Sequence, residues 1–397
     1  MRTGCLWRHI LPERWFMERR KFLTTGAALT AGTALSARPA AAAPVRRPQD
    51  RMPARAEIVA VLRKVADHWI GAHPDPGDNQ WARATFFSGL MALHRLTREP
   101  RYLAYARDWA ERHAYGLHNG VTTRHADDHC AGQTYLDLYA LDAAPDPTKI
   151  AAIEDSVRRM VATSAEKHDD WWWDDALHMA MPPFARLGAL RDDPACWDAM
   201  HALYTHTRNA EGGPGLHDPG SGLWYRDKRF LPGGISSPNG KPVLWSRGNG
   251  WVAAAHAKVL AVLPDDFAPV RAYRATLVRE LAALRAVQRS DGFWNVNLAD
   301  PAHLPGPETS GTAFFTFATA YALRAGLVPR GTYRPVAARA WHALATTAVR
   351  PDGVLGYVQS VGDRPESGQP VTRDSTADFG VGAFLLAGTE LVALGEN

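Results

Sequence analysis

Cysteine is scarce in this chain, with three residues among 397. Cys5 lies near the N-terminus, which leaves Cys130 and Cys196. Neither stands in a CxxC or Cys/His spacing of the kind that holds zinc. A disulfide framework and a zinc ribbon are therefore excluded. One bridge between Cys130 and Cys196 and two inert buried thiols both stay open. A HExxH motif is also missing around His125 and His129, which stand at i, i+4 and read as loop or core histidines. We expect no metal and no cofactor. Strand-type alternation is sparse beyond about Ala54, and no later stretch reads as a membrane span.

A basic surface is missing too. Residues 1–43 carry seven Lys/Arg against two Glu, so the remainder holds 38 basic and 39 acidic residues, a formal charge of −1. That balance gives no support for a nucleic-acid partner. The basic segment itself has an organisation. Arg19-Arg20-Lys21-Phe22-Leu23 resembles a twin-arginine export signal, Leu23 to Leu35 is mildly apolar, and Ala40 to Ala43 offers a cleavage site. Met17 is a possible true start. The chain thus divides into an export signal over 1–43, a Pro/Arg-rich linker over 44–53 and one domain over 54–397. The expected location is periplasmic or extracellular, with no membrane contact once the signal is removed. The expected state is a monomer or weak dimer.

Helical periodicity is abundant. It predicts twelve helices, near 54–70, 81–98, 99–115, 129–142, 148–167, 173–190, 193–210, 247–263, 267–288, 309–325, 333–348 and 376–392. Connections alternate between short ones, such as Thr97 to Arg101, and long ones rich in Gly, Pro, Trp or His, such as Glu211 to Ser246. Twelve helices with alternating loops predict an all-α fold, six helical hairpins closed into an (α/α)6 barrel. An open solenoid is the competitor, and contact between the first and last hairpins decides between them. Even-numbered helices are apolar on most faces, as in Ala313, Phe314, Phe315, Phe317 and Ala320, so they form the inner ring.

Tryptophan is plentiful, at fourteen residues. Several stand with charged residues just before or at the start of even-numbered helices. These groups are Asp78-Asn79-Gln80-Trp81, His125-Ala126-Asp127-Asp128, Trp171-Trp172-Trp173-Asp174-Asp175, Trp245-Ser246-Arg247 with Trp251, Glu308-Thr309-Ser310, and Asp374-Ser375 with Asp378. Inner helices of a barrel run the same way, so these groups converge on one mouth. Helix capping accounts for Asp78, Ser375 and Asp174. It does not account for three consecutive Trp, or for an arginine flanked by two. Aromatic rings with carboxylates suit sugar stacking and acid–base chemistry.

At these motifs the chain resembles the unsaturated glucuronyl and rhamnogalacturonyl hydrolases, glycoside hydrolase families 88 and 105, from about Ala54 to Leu394. The strongest elements are Trp173-Asp174-Asp175-Ala176-Leu177-His178-Met179-Ala180 and Trp245-x-Arg247-x-x-x-Trp251. Asp291-Gly292-Phe293-Trp294, Glu308-Thr309-Ser310-Gly311 and Gly380 to Ala387 support them in order. The resemblance implies a substrate: an oligosaccharide carrying a terminal 4,5-unsaturated uronic acid. It also implies a reaction, hydration of the enol ether. A proton goes to C4, water adds at C5, and the hemiketal collapses with loss of the glycosidic bond. Asp175 matches the acid/base, and Asp127 the second carboxylate. Trp245, Arg247 and Trp251 match sugar-binding positions, and Trp81, Trp173, His178 and Glu308 are further candidates. Arg226 stands after Tyr225 where the family often has a His, which makes it a candidate for altered specificity. Two other readings stay open. One is an ordinary inverting or retaining glycosidase using Glu308 or Asp378. The other is a non-catalytic glycan-binding protein.

Overall fold

The computed structural model describes residues 50–396. The export signal, the Met17 start and most of the linker lie outside the described residues. Twelve α-helices follow in chain order. They are α1 Arg55–Ala72, α2 Trp81–Thr97, α3 Pro100–Arg112, α4 Ala126–Leu141, α5 Ala151–Ala162, α6 Ala176–Arg191, α7 Pro194–Asn209, α8 Ser246–Leu260, α9 Val270–Ala286, α10 Thr309–Arg324, α11 Arg330–Ala343 and α12 Asp378–Gly395. Among the described residues, extended pairing is limited to isolated bridges.

Burial separates the helices into two rings. The odd-numbered ones bury one stripe each. In α3 it is Tyr102, Ala106, Trp109 and Ala110, and in α5 Ile153, Ser156, Val157 and Met160. That spacing is one face of a helix whose other side meets water. The even-numbered helices are buried almost all round, as α10 is from Thr309 to Leu323. Each packs on the next: α2 on α4, α4 on α6, α6 on α8, α8 on α10, α10 on α12, and α12 back on α2. The inner ring is closed, and α1 also touches α12. This is an (α/α)6 barrel. By length and hydropathy α12 could cross a membrane, but most of it is buried in this ring.

Closure depends on glycine. A Cβ on Gly382 of α12 would stand 2.2 Å from the Thr85 carbonyl oxygen of α2, and one on Gly89 would stand 2.3 Å from the Gly382 oxygen. The two backbones touch where any side chain would hold them apart. A second local problem is solved across the ring. Pro182 and Pro183 lie inside α6, so the carbonyls of His178 and Met179 lose their helical donors. Gln133 of α4 supplies the replacement, donating Nε2–H to both, at 2.8 and 3.4 Å.

The long loops all rise at the N-terminal ends of the inner helices and are stitched to one another there. Trp173 bridges Asp227, Trp245 bridges Asn297, and Trp294 bridges Glu308. The first of these shortens a predicted helix. Trp173 pairs laterally and the Asp174 amide donates to the Arg226 carbonyl at 2.8 Å, so α6 begins at Ala176 rather than at 173.

Candidate active site

Two carboxylates stand where neighbouring inner helices begin. Asp127 lies in the first turn of α4, and Asp175 is the residue before α6, with no side-chain capping bond. Both keep a little solvent access: 26% of the Asp127 side chain and 14% of Asp175. A helix N-terminus favours the ionised carboxylate, but burial wins here. Burial, then the charges of Asp175 and Asp128, push the Asp127 carboxyl up to about 7 against the pull of Arg226. Burial likewise raises Asp175, although Arg226 and Arg247 pull the other way. A carboxyl near 7 can both hold and release a proton at neutral pH.

Arg226 completes the charged centre. Its Nε is 3.6 Å from Asp175 Oδ2, its Nη1 donates to Asp227 at 2.7 Å, and its guanidinium lies 5.6 Å from the Trp172 ring. Arg229 holds Asp227 from the other side and bonds to Asp363. The aromatic rim is a ladder. His125 packs on Trp173 at 4.8 Å, and Trp173 on Trp172 at 4.6 Å. Trp172 is 42% exposed. Beside Asp127 a cavity of about 270 Å³ is lined by Gln80, Trp81, His118, Asn119, His125 and Asp128. Asp128 accepts from Asn119 and Thr123 and so holds the loop before α4.

The structure therefore brings Asp127, Asp175, Trp81, Trp173 and Arg226 to one mouth. Five other expected site residues are taken up by contacts within the fold. Arg247 is 2% exposed and spends its guanidinium on backbone. Nη1 donates to the Gln359 and Ser360 carbonyls at 2.9 and 2.8 Å, and Nη2 to Gly362 at 3.2 Å. It is a clamp on the 359–362 segment, not a free fork for a substrate carboxylate. Trp245 joins the same clamp, donating Nε1–H to Gln359 at 2.9 Å. Glu308 is wholly buried and caps α10, accepting from the Ser310 and Gly311 amides. His178 is 0% exposed, between Trp251 at 4.7 Å and Phe314 at 5.4 Å. Trp251 lies with it under the floor, 1% exposed. For Arg247, Trp245, His178 and Trp251 a long-range contact takes the side chain that a local motif offered to the substrate, and for Glu308 its own helix does.

Three residues near the mouth, Trp172, His125 and Asp174, stand in the groups that the sequence brings there but were given no role of their own. Trp172 is one of three like residues in a row. His125, within 3.8 Å of Asp127, looked like loop. Cys130 and Cys196 are both free thiols and both buried. Among the described residues, no three His, Cys, Asp or Glu side chains stand together as a metal site would require.

Known proteins resemble this chain closely. The sequence profile described as Glycosyl Hydrolase Family 88 matches residues 59–394. A Formosa agariphila protein named unsaturated 3S-rhamnoglycuronyl hydrolase is 33% identical over 361 residues, covering 86% of this chain and 92% of that one. A solved structure described as glycosyl hydrolase family 88 from Bacteroides vulgatus superposes with a TM-score of 0.80 at 33% identity, covering 86% of this chain and all of its own. Another, described as a polysaccharide lyase, has a TM-score of 0.80 at 35% identity and covers 86% of this chain and 98% of its own. With nearly the whole barrel matched, and relatives a third identical along it, this chain belongs to glycosyl hydrolase family 88 and is a glycoside hydrolase.

Proposed function

We propose that this hydrolase removes a terminal 4,5-unsaturated uronic acid from lyase-generated oligosaccharides, with Asp175 as the acid/base and Asp127 as its partner. The carrying observation is the pair of carboxyls at one mouth, both raised by burial, with Arg226 beside them. Asp175 delivers its proton to C4 of the enol ether. The carboxylate it becomes accepts a proton from the water that adds at C5, so the residue returns to its starting state. The C5 hemiketal then collapses with loss of the glycosidic bond. Asp127, neutral or charged near pH 7, orients that water. Arg226 is the cation available to the uronate carboxylate, since the Arg247 fork is occupied. Trp172, 42% exposed, offers a ring face to the sugars, and Trp173, buried between it and His125, backs it. The named function of the Formosa relative supports an unsaturated rhamnoglycuronyl substrate.

The test is to supply matched saturated and unsaturated oligosaccharides and follow the alkene absorbance. The unsaturated one is consumed and its absorbance falls. A polysaccharide lyase, the activity named for one structural neighbour, makes the double bond and raises the absorbance of a saturated polymer. An ordinary glycosidase cleaves the saturated oligosaccharide. Either of those results overturns the assignment.

A further inference from the structure

Asp174 is the one carboxyl near the mouth with no evident role. It stands beside Asp175 in the turn entering α6 and is 0% exposed. Its amide is held by the Arg226 carbonyl at 2.8 Å. Its carboxyl faces α8, where a Cβ on Gly248 would come 2.4 Å from Oδ2 and 3.0 Å from Oδ1. The side chain is thus wedged against a position that only glycine can occupy without a shift.

Among the described residues, no N–H or hydroxyl reaches either Asp174 oxygen, and none reaches Asp175 Oδ1. The group within hydrogen-bonding reach of Asp174 is the carboxyl of Asp175. Two facing carboxylates, desolvated and with no donor between them, repel strongly. A proton kept on one of them removes the repulsion whenever the other ionises, and makes a short charge-assisted bond instead. The surroundings say which side holds it. Asp175 has Arg226 at 3.6 Å and some solvent access, which favour its ionised form. Asp174 has neither contact. The other charged groups facing the pair are Asp227 from the same loop as Arg226 and Arg247 from α8, with Asp127 of α4 acting on Asp175. Arg226 and Asp227 act on both carboxyls with opposite signs, so the choice between the two rests on the Arg226 ion pair and the solvent access of Asp175.

We propose that Asp174 is a positioning residue for this reaction, a permanently protonated carboxyl whose O–H is donated to Asp175. The role rests on the reading of Asp175 as the acid. When Asp175 gives its proton to C4, a carboxylate develops in a buried place. The Asp174 hydroxyl is already aimed at it, so the charge is stabilised without rearrangement. The Asp174 proton itself does not leave. Burial holds Asp174 well above the ordinary carboxylate range, consistent with this part.

Two variants and one spectroscopic measurement test it. Asp174→Asn keeps a donor in the same volume, and Asp174→Ala removes it. With Ala, the alkaline limb of kcat/KM moves up by about half to one pH unit, because ionised Asp175 loses its donor. Its kcat falls about tenfold or more. With Asn, the limb stays near wild type. In the infrared difference between wild type and Asp174→Asn at pH 7, a protonated-carboxyl carbonyl stretch belongs to wild type alone. A limb that moves down in both variants overturns the proposal, since it means Asp174 is an anion. An unmoved limb with lowered thermal stability in both reduces Asp174 to packing and overturns it as well. Absence of the infrared band does the same. That band does not depend on turnover. If no unsaturated substrate is consumed but the band is present, the functional reading fails while the protonation of Asp174 stands.

Discussion

Arg247→Lys separates what the local motif suggests from what the tertiary structure does with it. A substrate-binding arginine loses affinity on this change, whereas a structural clamp loses stability. The structure supports the clamp and sets its size. Three carbonyls, those of Gln359, Ser360 and Gly362, receive Arg247 N–H groups. The guanidinium also lies 4.3 Å from the Trp245 ring and 5.0 Å from Phe379. A lysine ammonium is a single point and cannot span the fork. At least one or two buried carbonyls are then left bare, at about 1–3 kcal/mol each. Weakened cation–π contact costs about 0.5–2 kcal/mol more. The sum is about 1.5–8 kcal/mol. Equilibrium denaturation reads it as a lower midpoint at unchanged slope. KM for the unsaturated oligosaccharide, measured well below the new melting temperature, rises less than threefold. An unchanged midpoint with a tenfold higher KM would falsify the clamp and restore Arg247 to the substrate.

Further outcomes follow from other parts of the structure. Asp175→Asn cannot exchange a proton, so kcat falls by about 10²–10⁴-fold while the fold survives; a folded variant with near-normal turnover moves the acid role to Asp127. Asp127 titrates near 7 in the folded protein and near 3.9 unfolded. The folded state therefore binds the extra proton, and stability is lost as pH rises from about 4 to 7. Asp127→Asn removes that loss, so its melting temperature gains on wild type between pH 5 and pH 8, and a gap that stays constant or shrinks counts against the raised value. Gly382→Ala forces a methyl into the Thr85 carbonyl at the α2–α12 contact, which costs about 1–3 kcal/mol or more; a variant as stable as wild type means the ring does not close this tightly. We also propose export by the twin-arginine route, so replacing Arg19 and Arg20 with Lys abolishes secretion of folded enzyme, and undiminished secretion refutes it.

Much of the candidate site was legible because its signals are local. Asp127 and Asp175 each sit at a helix start, and helix starts are marked by the onset of apolar periodicity. The Trp-Asp-Asp segment stood out by composition alone. The roles of Arg247, Glu308 and His178 were not legible. Each was read as facing a mouth because its motif lies beside one. Glu308 caps α10 through Ser310 and Gly311, a contact that its own sequence neighbourhood allows but does not require. His178 points down from α6 into the floor, where the bulk of Trp251 and Phe314 seals it.

The division between sequence and structure follows range. Helix number, inner or outer placement and the direction of the mouth come from periodicities of three to four residues, which any window of the chain carries. They determined the twelve helices and the all-α class before any contact was known. Ring closure needs Gly89 and Gly382 to meet across nearly the whole chain, and no window contains both. The use of Arg247 depends on carbonyls 112 to 115 residues away, and the solitude of the Asp174 carboxyl depends on every donor that does not reach it. A side chain's chemistry is written at its own position. What that chemistry is spent on is set by the groups that packing brings within three ångströms, and packing is a property of the whole barrel.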